Sequence, residues 1–245
     1  MYDYYLLFFV LILVCAGFSA SASNKIKNAY RAFDGVPNRS RMTGYDTAVR
    51  LLRSNGVFDI SVNRVRGFLS DHYHPTKKQV NLSETVFGSA SVGAVAVAAH
   101  EIGHVMQKKK GYVPYKIRTA LVPICNIGSR LALPLVLVGL VLDLALLGGA
   151  ANSNLGYYLA LLGVAMYGLS TLFMLVTLPV EYNASARARV MLVEEGILTE
   201  EEAVGAKKVL DAAALTYVAS LATSLVYFLR FALWVLMMFG GRRRD

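Results

Sequence analysis

The sequence predicts a mainly α-helical membrane protein with three to four transmembrane helices and a small polar domain that contains short β-strands. Of its 245 residues, 56% are apolar and only 17% are charged, and the mean hydropathy is +0.47. Because soluble domains carry about a quarter charged residues, this composition favours a membrane protein. Long apolar runs alternate with two polar segments, and this alternation defines the elements described next.

The first element is an apolar run at residues 4–20, which is about as long as a bilayer is thick. The only charge before this run is Asp3, whereas Lys25, Lys27 and Arg31 follow it. A cleaved signal peptide carries its positive charge before its apolar region. We therefore expect residues 1–23 to form a retained transmembrane anchor with its N-terminus outside the cell.

Residues 24–118 form the predicted polar domain, on the cytoplasmic side of the membrane. The segment 45–56 has the apolar period of a helix that ends at its Asn-Gly pair. Residues 57–65 and 78–83 are rich in β-branched side chains and alternate in polarity, so they predict short strands. From residue 83 onward, the sequence SETV is typical of a capping box and predicts one continuous helix as far as Lys108.

Three further segments complete the predicted organisation. Residues 119–179 are apolar around a short uncharged turn and predict a transmembrane hairpin whose tip lies outside. Residues 180–212 are polar and contain a predicted helix with a threonine cap. Residues 213–240 predict a C-terminal helix that either crosses the membrane or lies against it, since a crossing would place the basic C-terminal tail outside.

The net charge of +9 arises mainly in residues 24–118, which hold 16 of the 25 Lys and Arg residues against 6 Asp and Glu residues. These basic residues are spread along the segment instead of clustering with aromatic residues. This distribution is typical of segments beside membrane spans and disfavours nucleic acid as a partner. The lipid bilayer is the expected partner, and no feature of the sequence indicates an oligomeric state.

The strongest chemical signal is the sequence AAHEIGHVMQ, in which His100 and His104 lie four residues apart and Glu101 follows the first of them. Because residues i and i+4 share one face of a helix, both imidazoles point to one place, as a tetrahedral metal site requires. A neighbouring carboxylate can take a proton from water that zinc activates. Uncharged residues fill and flank the motif, which favours a metal site over a buried helix with two incidental histidines.

A catalytic zinc ion usually has three protein ligands, and Glu181 is the best candidate for the third. Between His104 and Glu181 lie 76 residues; removing the 60 residues of the hairpin 119–178 leaves 16, a short connection between helices. Glu181 is expected to begin a new helix. Ser185 shares its face and is a candidate hydrogen-bond partner for a ligand, while Arg187 is a candidate anchor for substrate.

Two alternatives remain open at this stage. An intramembrane-cleaving zinc protease would take Asp143, an acid inside the apolar hairpin, as its third ligand. The weak hydropathy of residues 84–106 disfavours a span there and therefore this alternative. A non-catalytic zinc-binding membrane chaperone is the other alternative, but structural zinc normally has four protein ligands and needs no glutamate beside them.

Four motifs carry a resemblance to a known family. The sequences GFLSDHYHPTKKQVNLS, VAAHEIGHVMQ, PVEYNASARA and LTYVASL resemble, in this order and over nearly the whole chain, the bacterial YugP-type neutral zinc metallopeptidases of the membrane. The layout is also similar to that of the HtpX-type membrane proteases, in which an HExxH motif and a downstream glutamate ligand are arranged around membrane spans.

The resemblance implies a zincin-like metallopeptidase domain with a small β-edge. It implies one zinc ion held by His100, His104 and Glu181, with Glu101 as general base, and a membrane-embedded endopeptidase that hydrolyses a peptide or protein substrate. The expected location is the bacterial inner membrane, with the active site on the cytoplasmic side.

The resemblance also assigns roles to the segment upstream of the motif. It implies that residues 77–83 are the sheet edge along which an extended peptide binds. His72 and Tyr73 fit the family pattern and are candidate donors to the oxyanion, whereas His74 stands where the family usually has an acidic residue.

Overall fold

A computed structural model describes residues 2–146 and 154–240, which fold into seven helices and one small sheet. The elements are α1 (Tyr2–Asp34), α2 (Gly44–Ser54), β1 (Ser61–Val65), β2 (His72–His74), β3 (Gln79–Ser83), α3 (Glu84–Phe87), α4 (Val92–Lys109), α5 (Val113–Leu146), α6 (Leu155–Glu194) and α7 (Glu200–Gly240). The mainly helical class and the short strands predicted from the sequence are confirmed.

The chain divides into two compact units. The first, called the apolar unit here, consists of Met1–Ser19, Ile117–Thr177 and Val218–Asp245, and the second, the mixed unit, consists of Ala20–Lys116 and Leu178–Tyr217. The helices α1, α5, α6 and α7 contribute residues to both units.

The apolar unit exposes large aliphatic side chains along its helices. Leu6, Leu133 and Val141, for example, are more than half exposed. Side chains of this kind on every helix need an apolar solvent. In the described part of the chain, four helices are long and apolar enough to cross a bilayer, and the fourth contains the segment 213–239 that the sequence left undecided. The protein is therefore a membrane protein.

The sheet of the mixed unit has the order β1-β3-β2. β1 pairs with β3 in parallel, with Ser61 opposite Gln79, and β2 pairs with β3 antiparallel, with His72 opposite Asn81. The strand β3 therefore has a neighbour on each side, and the prediction that residues 77–83 form the sheet edge is wrong. The three residues of β2 occupy the position beside β3 that a peptide would need. Among the described residues, β1 and β2 are the edge strands.

The predicted continuous helix from residue 83 is also interrupted. Ser83 gives its hydroxyl to the carboxylate of Asp71, at 2.9 Å, and makes no side-chain capping bond. The chain then leaves the helix after α3, because residues 90–92 pair with residues 36–38. Helix α4 starts anew at Ser91, whose hydroxyl accepts the Ala94 N–H at 3.1 Å.

Helix α4 is the centre of the mixed unit. Nearly every residue from Val92 to Gln107 is buried, although a surface helix normally buries only one face. Glycine or alanine at six of these sixteen positions allows other elements to pack closely around the helix. The helix ends at Lys109, and Gly111 follows it with a φ of 64°, a conformation that glycine adopts without strain.

Helix α6 continues through Pro179, so the prediction that Glu181 begins a new helix is wrong. Glu181 lies inside a helix of 40 residues. A proline removes one backbone hydrogen bond, but the neighbouring turns of a well-packed or membrane-spanning helix can hold the helix together. The predicted helices at 45–56 and after Thr199 are present, the latter with the Thr199 hydroxyl accepting the Glu202 N–H.

Gly103 sets the distance between α4 and α6. A Cβ atom at this position would lie 2.5 Å from the carbonyl oxygen of Ala184, a backbone atom that cannot turn away. The two helices therefore touch through their backbones at a point one residue before His104. This contact brings the part of α6 that contains Glu181 and Ser185 up to the HExxH helix.

We expect Gly103→Ala to destabilise the protein by about 1–3 kcal/mol, because the added methyl group pushes α6 away. The measurement is thermal unfolding in detergent, followed by circular dichroism. The matched control is Gly88→Ala, whose Cβ meets nothing within 4 Å. Equal melting temperatures for the two variants would contradict the close contact.

Candidate metal centre

Helix α4 presents His100 and His104 on one face, as their spacing predicts. Their ring centroids are 4.8 Å apart and the rings are nearly perpendicular. Both side chains are largely buried, with 14% and 10% of their surfaces exposed, so each imidazole nitrogen needs a partner. This need determines how the neighbouring polar residues are arranged.

Glu181 of α6 meets both histidines. Its Oε2 atom lies 3.2 Å from His100 Nε2 and 3.4 Å from His104 Nε2. Among the described residues, these three form the one group of His, Cys, Asp and Glu side chains whose ligand atoms all lie within 4.8 Å of one another. Two helices that are far apart in sequence thus bring together the three side chains that the sequence picked out.

The group fits a zinc ion by its donor types and by its spacing. Two imidazoles and one carboxylate are a common ligand set for catalytic zinc. In a tetrahedral site with metal–ligand distances of about 2.0–2.2 Å, neighbouring ligand atoms lie about 3.3–3.6 Å apart. The distances from Glu181 Oε2 to the two Nε2 atoms, 3.2 and 3.4 Å, are close to this range.

The other nitrogen of each histidine has a partner of its own. His100 Nδ1 lies 3.1 Å from the hydroxyl of Ser185, and His104 Nδ1 lies 3.0 Å from Gln107 Oε1. An amide oxygen only accepts hydrogen bonds, so His104 Nδ1 carries the proton and Nε2 keeps its lone pair. His104 can therefore offer Nε2 to a metal, and His100 can do the same when its Nδ1 donates to the Ser185 hydroxyl; outer hydrogen bonds of this kind orient metal ligands.

The family is decided by comparison with known proteins. Residues 7–236 match the family described as "Putative neutral zinc metallopeptidase". The chain belongs to this family. It is also 40% identical, over 98% of its own length and the whole of the other chain, to the "Putative membrane protease YugP" of Bacillus subtilis (strain 168). No solved structure matches the chain. These matches confirm the resemblance found in the sequence. The group of His100, His104 and Glu181 therefore occurs in a member of a zinc metallopeptidase family.

Gln107 was not among the residues that the sequence suggested. It is fully buried, and beyond its contact with His104 its Nε2 donates to the Val180 carbonyl at 2.7 Å and to Asn183 Oδ1 at 3.1 Å. One amide thus connects a histidine of α4 to the backbone of α6 beside Glu181. The available signal was its position three residues after His104, where a helix places it next to that histidine.

Glu101 is buried beside the histidines, with 6% of its surface exposed. Burial raises the pKa of Glu101 to about 7, and the carboxylates of Glu181 and Asp71 add to the rise while the charges of His100 and His72 oppose it. A carboxyl group with a pKa near neutrality accepts a proton more readily than an exposed glutamate does. This is the property that a general base at neutral pH requires.

The remaining predicted residues lie around this group. His72 is exposed and has both ring nitrogens engaged: Nδ1 lies 2.9 Å from the Ser70 carbonyl oxygen, and Nε2 lies 3.0 Å from Asn81 Nδ2. Both contacts are hydrogen bonds when Nδ1 donates and Nε2 accepts, and the role of His72 as an oxyanion donor stays a prediction. Tyr73 is half-buried, and burial raises its pKa to about 12, so its hydroxyl stays protonated.

Arg187 and Asp143 are the two other predicted residues. Arg187 Nε donates to Asn183 Oδ1 at 2.8 Å, so Arg187 and Gln107 share this acceptor. Asp143 belongs to α5, and its side chain lies outside the described residues.

We expect Gln107→Met to lower zinc affinity by about 10–100-fold, because methionine keeps the volume of the side chain but cannot hold the His104 tautomer. Gln107→Glu keeps an acceptor for His104 Nδ1, so its zinc affinity should fall by a smaller factor. Competition with a chelating dye measures the affinity. The same change at Gln79 on β3 is the control, and an unchanged zinc affinity in Gln107→Met would refute the role of this amide.

A second prediction concerns the metal-free protein. The folded pKa of Glu101, about 7, lies above the ordinary value of 4.5, so ionisation costs the folded state stability as pH rises through this window. Glutamine resembles the neutral carboxyl, so Glu101→Gln should unfold at a higher temperature than the wild type at pH 8 and at a similar one at pH 5. The pKa difference sets an upper bound of about 3 kcal/mol.

The measurement is circular dichroism of chelator-treated protein at the two pH values. Groups common to both proteins cancel in the difference. Glu201→Gln, at an exposed position in the first turn of α7, is the control; because its charge favours the helix N-terminus, this variant should not unfold at a higher temperature than the wild type at either pH. A Glu101→Gln variant that is less stable than the wild type at pH 8 would contradict the assigned burial.

Proposed function

We propose that this protein is a zinc-dependent endopeptidase of the bacterial inner membrane, with its active site on the cytoplasmic side. Residues 24–118 and 180–212 together form its zincin-like catalytic domain in this proposal. The single observation that carries it is the meeting of His100, His104 and Glu181 in a chain of a zinc metallopeptidase family. The excess of basic residues in 24–118 supports the cytoplasmic side.

The proposed ligands of one Zn²⁺ are His100 Nε2, His104 Nε2 and a carboxylate oxygen of Glu181. Zinc bound there would supply Lewis acidity, polarising the scissile carbonyl and lowering the pKa of a water molecule to about 7. Ser185 and Gln107 hold the two imidazoles in the orientation that keeps their Nε2 lone pairs available. Among the described residues, the group contains three possible ligands and no fourth. Because structural zinc sites normally have four protein ligands, this supports a catalytic site.

Glu101 moves the proton in the proposed reaction. Its carboxylate takes a proton from the attacking water and delivers it to the nitrogen of the leaving amine. Burial raises the affinity of Glu101 for a proton in the metal-free chain. His72, Tyr73 and Arg187 remain candidates for contact with substrate; of these, Tyr73 has a hydroxyl that stays protonated and can donate a hydrogen bond.

An extended peptide would bind along β2. This strand is an edge of the sheet and packs against α4, the helix of the HExxH motif. Backbone groups of an edge strand can pair with an extended peptide, which is a common way of holding peptides in binding sites. The edge formed by His72–His74 thus replaces the segment 77–83 in the proposal for the substrate.

The test combines zinc content with cleavage of casein, an unfolded protein. We expect about one zinc per chain in the wild type, in Glu101→Gln and in Asp143→Ala, and a loss of zinc in Glu181→Ala. Cleavage should fall by about 10²–10⁴-fold in Glu101→Gln, since a general base contributes that much.

Three outcomes would count against the proposal. Retained cleavage in Glu101→Gln would exclude the assigned base. Loss of zinc from Asp143→Ala alone would favour an intramembrane site. Zinc in the wild type without cleavage that depends on Glu101 would favour a non-catalytic zinc protein.

A further inference from the structure

A cavity of about 320 Å³ lies at the end of helix α4 beyond His104. Its wall includes Val105 and Lys108 of α4 and Tyr73 of the edge strand β2. It therefore touches both the helix that carries the HExxH motif and the strand along which a peptide is proposed to bind. None of the three proposed zinc ligands lines this cavity.

The cavity is close to the metal ligands. Lys108 follows His104 by four residues, so it lies on nearly the same helix face and about 6 Å further along the axis. Tyr73 of β2 lines the cavity, and β2 packs against the helix that carries the motif. In an extended peptide each residue spans about 3.3 Å, so two residues whose side chains lie on the same face are about 6.6 Å apart.

The cavity wall carries an excess of positive charge. Lys78, Lys108 and Lys109 line it with one acidic residue, Asp59, so three positive charges face one negative charge. Lys78 binds Asp59 at 2.8 Å, and this hydrogen bond and the charges of Lys78 and Lys108 hold the pKa of Asp59 below its ordinary value. The charge of Asp59 thus balances that of Lys78, one of the three lysines.

The other two ammonium groups are held by neutral acceptors. Lys108 Nζ donates to the Pro75 carbonyl at 2.8 Å, and Lys109 Nζ donates to the carbonyls of Asn55 and Gly56 at 2.5 and 2.9 Å. These bonds fix the positions of the two groups without cancelling their charge. An ammonium has three N–H donors, so Lys108 retains capacity for an anion.

The rest of the wall is apolar. Val57, Ile60 and Val105 line the cavity together with Tyr73. A ligand that suits both parts has a short aliphatic stem and a negatively charged end. Among amino-acid side chains, glutamate and aspartate have this form.

We propose that this cavity is a specificity subsite that binds an acidic side chain of the substrate peptide, beside the bond to be cleaved. The proposal rests on the proposed function for the location of the peptide. Lys108 is the residue that determines specificity, since it lies nearest to the ligand His104 along the helix.

The first experiment measures binding, so that it does not depend on cleavage. It uses the full-length, zinc-loaded Glu101→Gln variant and two fluorescein-labelled peptide mixtures. The peptides of both mixtures have uncharged residues at all positions except one fixed position. That position is glutamate in one mixture and glutamine in the other. We expect the glutamate mixture to bind about twofold to fivefold more tightly, the size of effect that one partly exposed ion pair gives. This preference should weaken in high salt.

Charge reversal supplies the specific test. Adding Lys108→Glu should abolish the preference for glutamate, and adding Lys108→Met should reduce it to near equality. Lys77→Glu makes the same change of charge at an exposed lysine outside the cavity and should keep the preference. If Lys108→Glu and Lys77→Glu behave alike, the subsite assignment is overturned.

Cleavage separates this proposal from the proposed function. Casein fragments produced by the wild type should show acidic residues enriched at one fixed position beside the cut, and Lys108→Glu should remove this enrichment. Cutting that depends on Glu101 but shows no preference for acidic residues overturns the subsite and leaves the peptidase intact. Absence of such cutting overturns the peptidase, while the binding comparison still decides whether the cavity prefers a carboxylate.

Discussion

The contact between α4 and α6 is the constraint on which the site depends. Glu181 can reach the two histidines only because the helices meet backbone to backbone at Gly103 and Ala184. Gln107 then ties the same pair of helices together through the Val180 carbonyl while it orients His104. Packing and polar contacts within the protein therefore position the three ligands without a metal ion. This lowers the entropy cost of ordering the ligands when an ion binds.

The surroundings of this contact explain the composition of the HExxH helix. A helix buried on nearly all sides needs small residues where neighbours approach, and its few polar side chains need partners within the protein. His100, His104 and Gln107 find these partners in Ser185, Glu181 and the backbone of α6. The alanines and glycines before the motif are thus a packing requirement, and they account for the weak hydropathy that argued against a membrane span.

Local geometry was predictable from the sequence, whereas long-range pairing was not. The spacing of His100 and His104 fixes a shared helix face, and removing the hairpin left Glu181 close to them. The break before α4 could not be predicted, because it depends on residues 90–92 pairing with residues 36–38. The sheet order depends in the same way on contacts that no local pattern records, and Gln107 looks like an ordinary polar residue near a helix end.

The short edge strand has a consequence for substrate selection. β2 contains three residues, so backbone pairing along it can hold only a short stretch of an extended peptide, and backbone pairing does not distinguish one sequence from another. Discrimination between sequences then depends on side-chain contacts, and the proposed subsite supplies one of them. The end beyond His104 combines an apolar wall with an excess of positive charge, and both properties act on the same peptide side chain. In a fold with so little sheet, the proposed subsite thus supplies a side-chain contact that the three backbone positions of β2 lack.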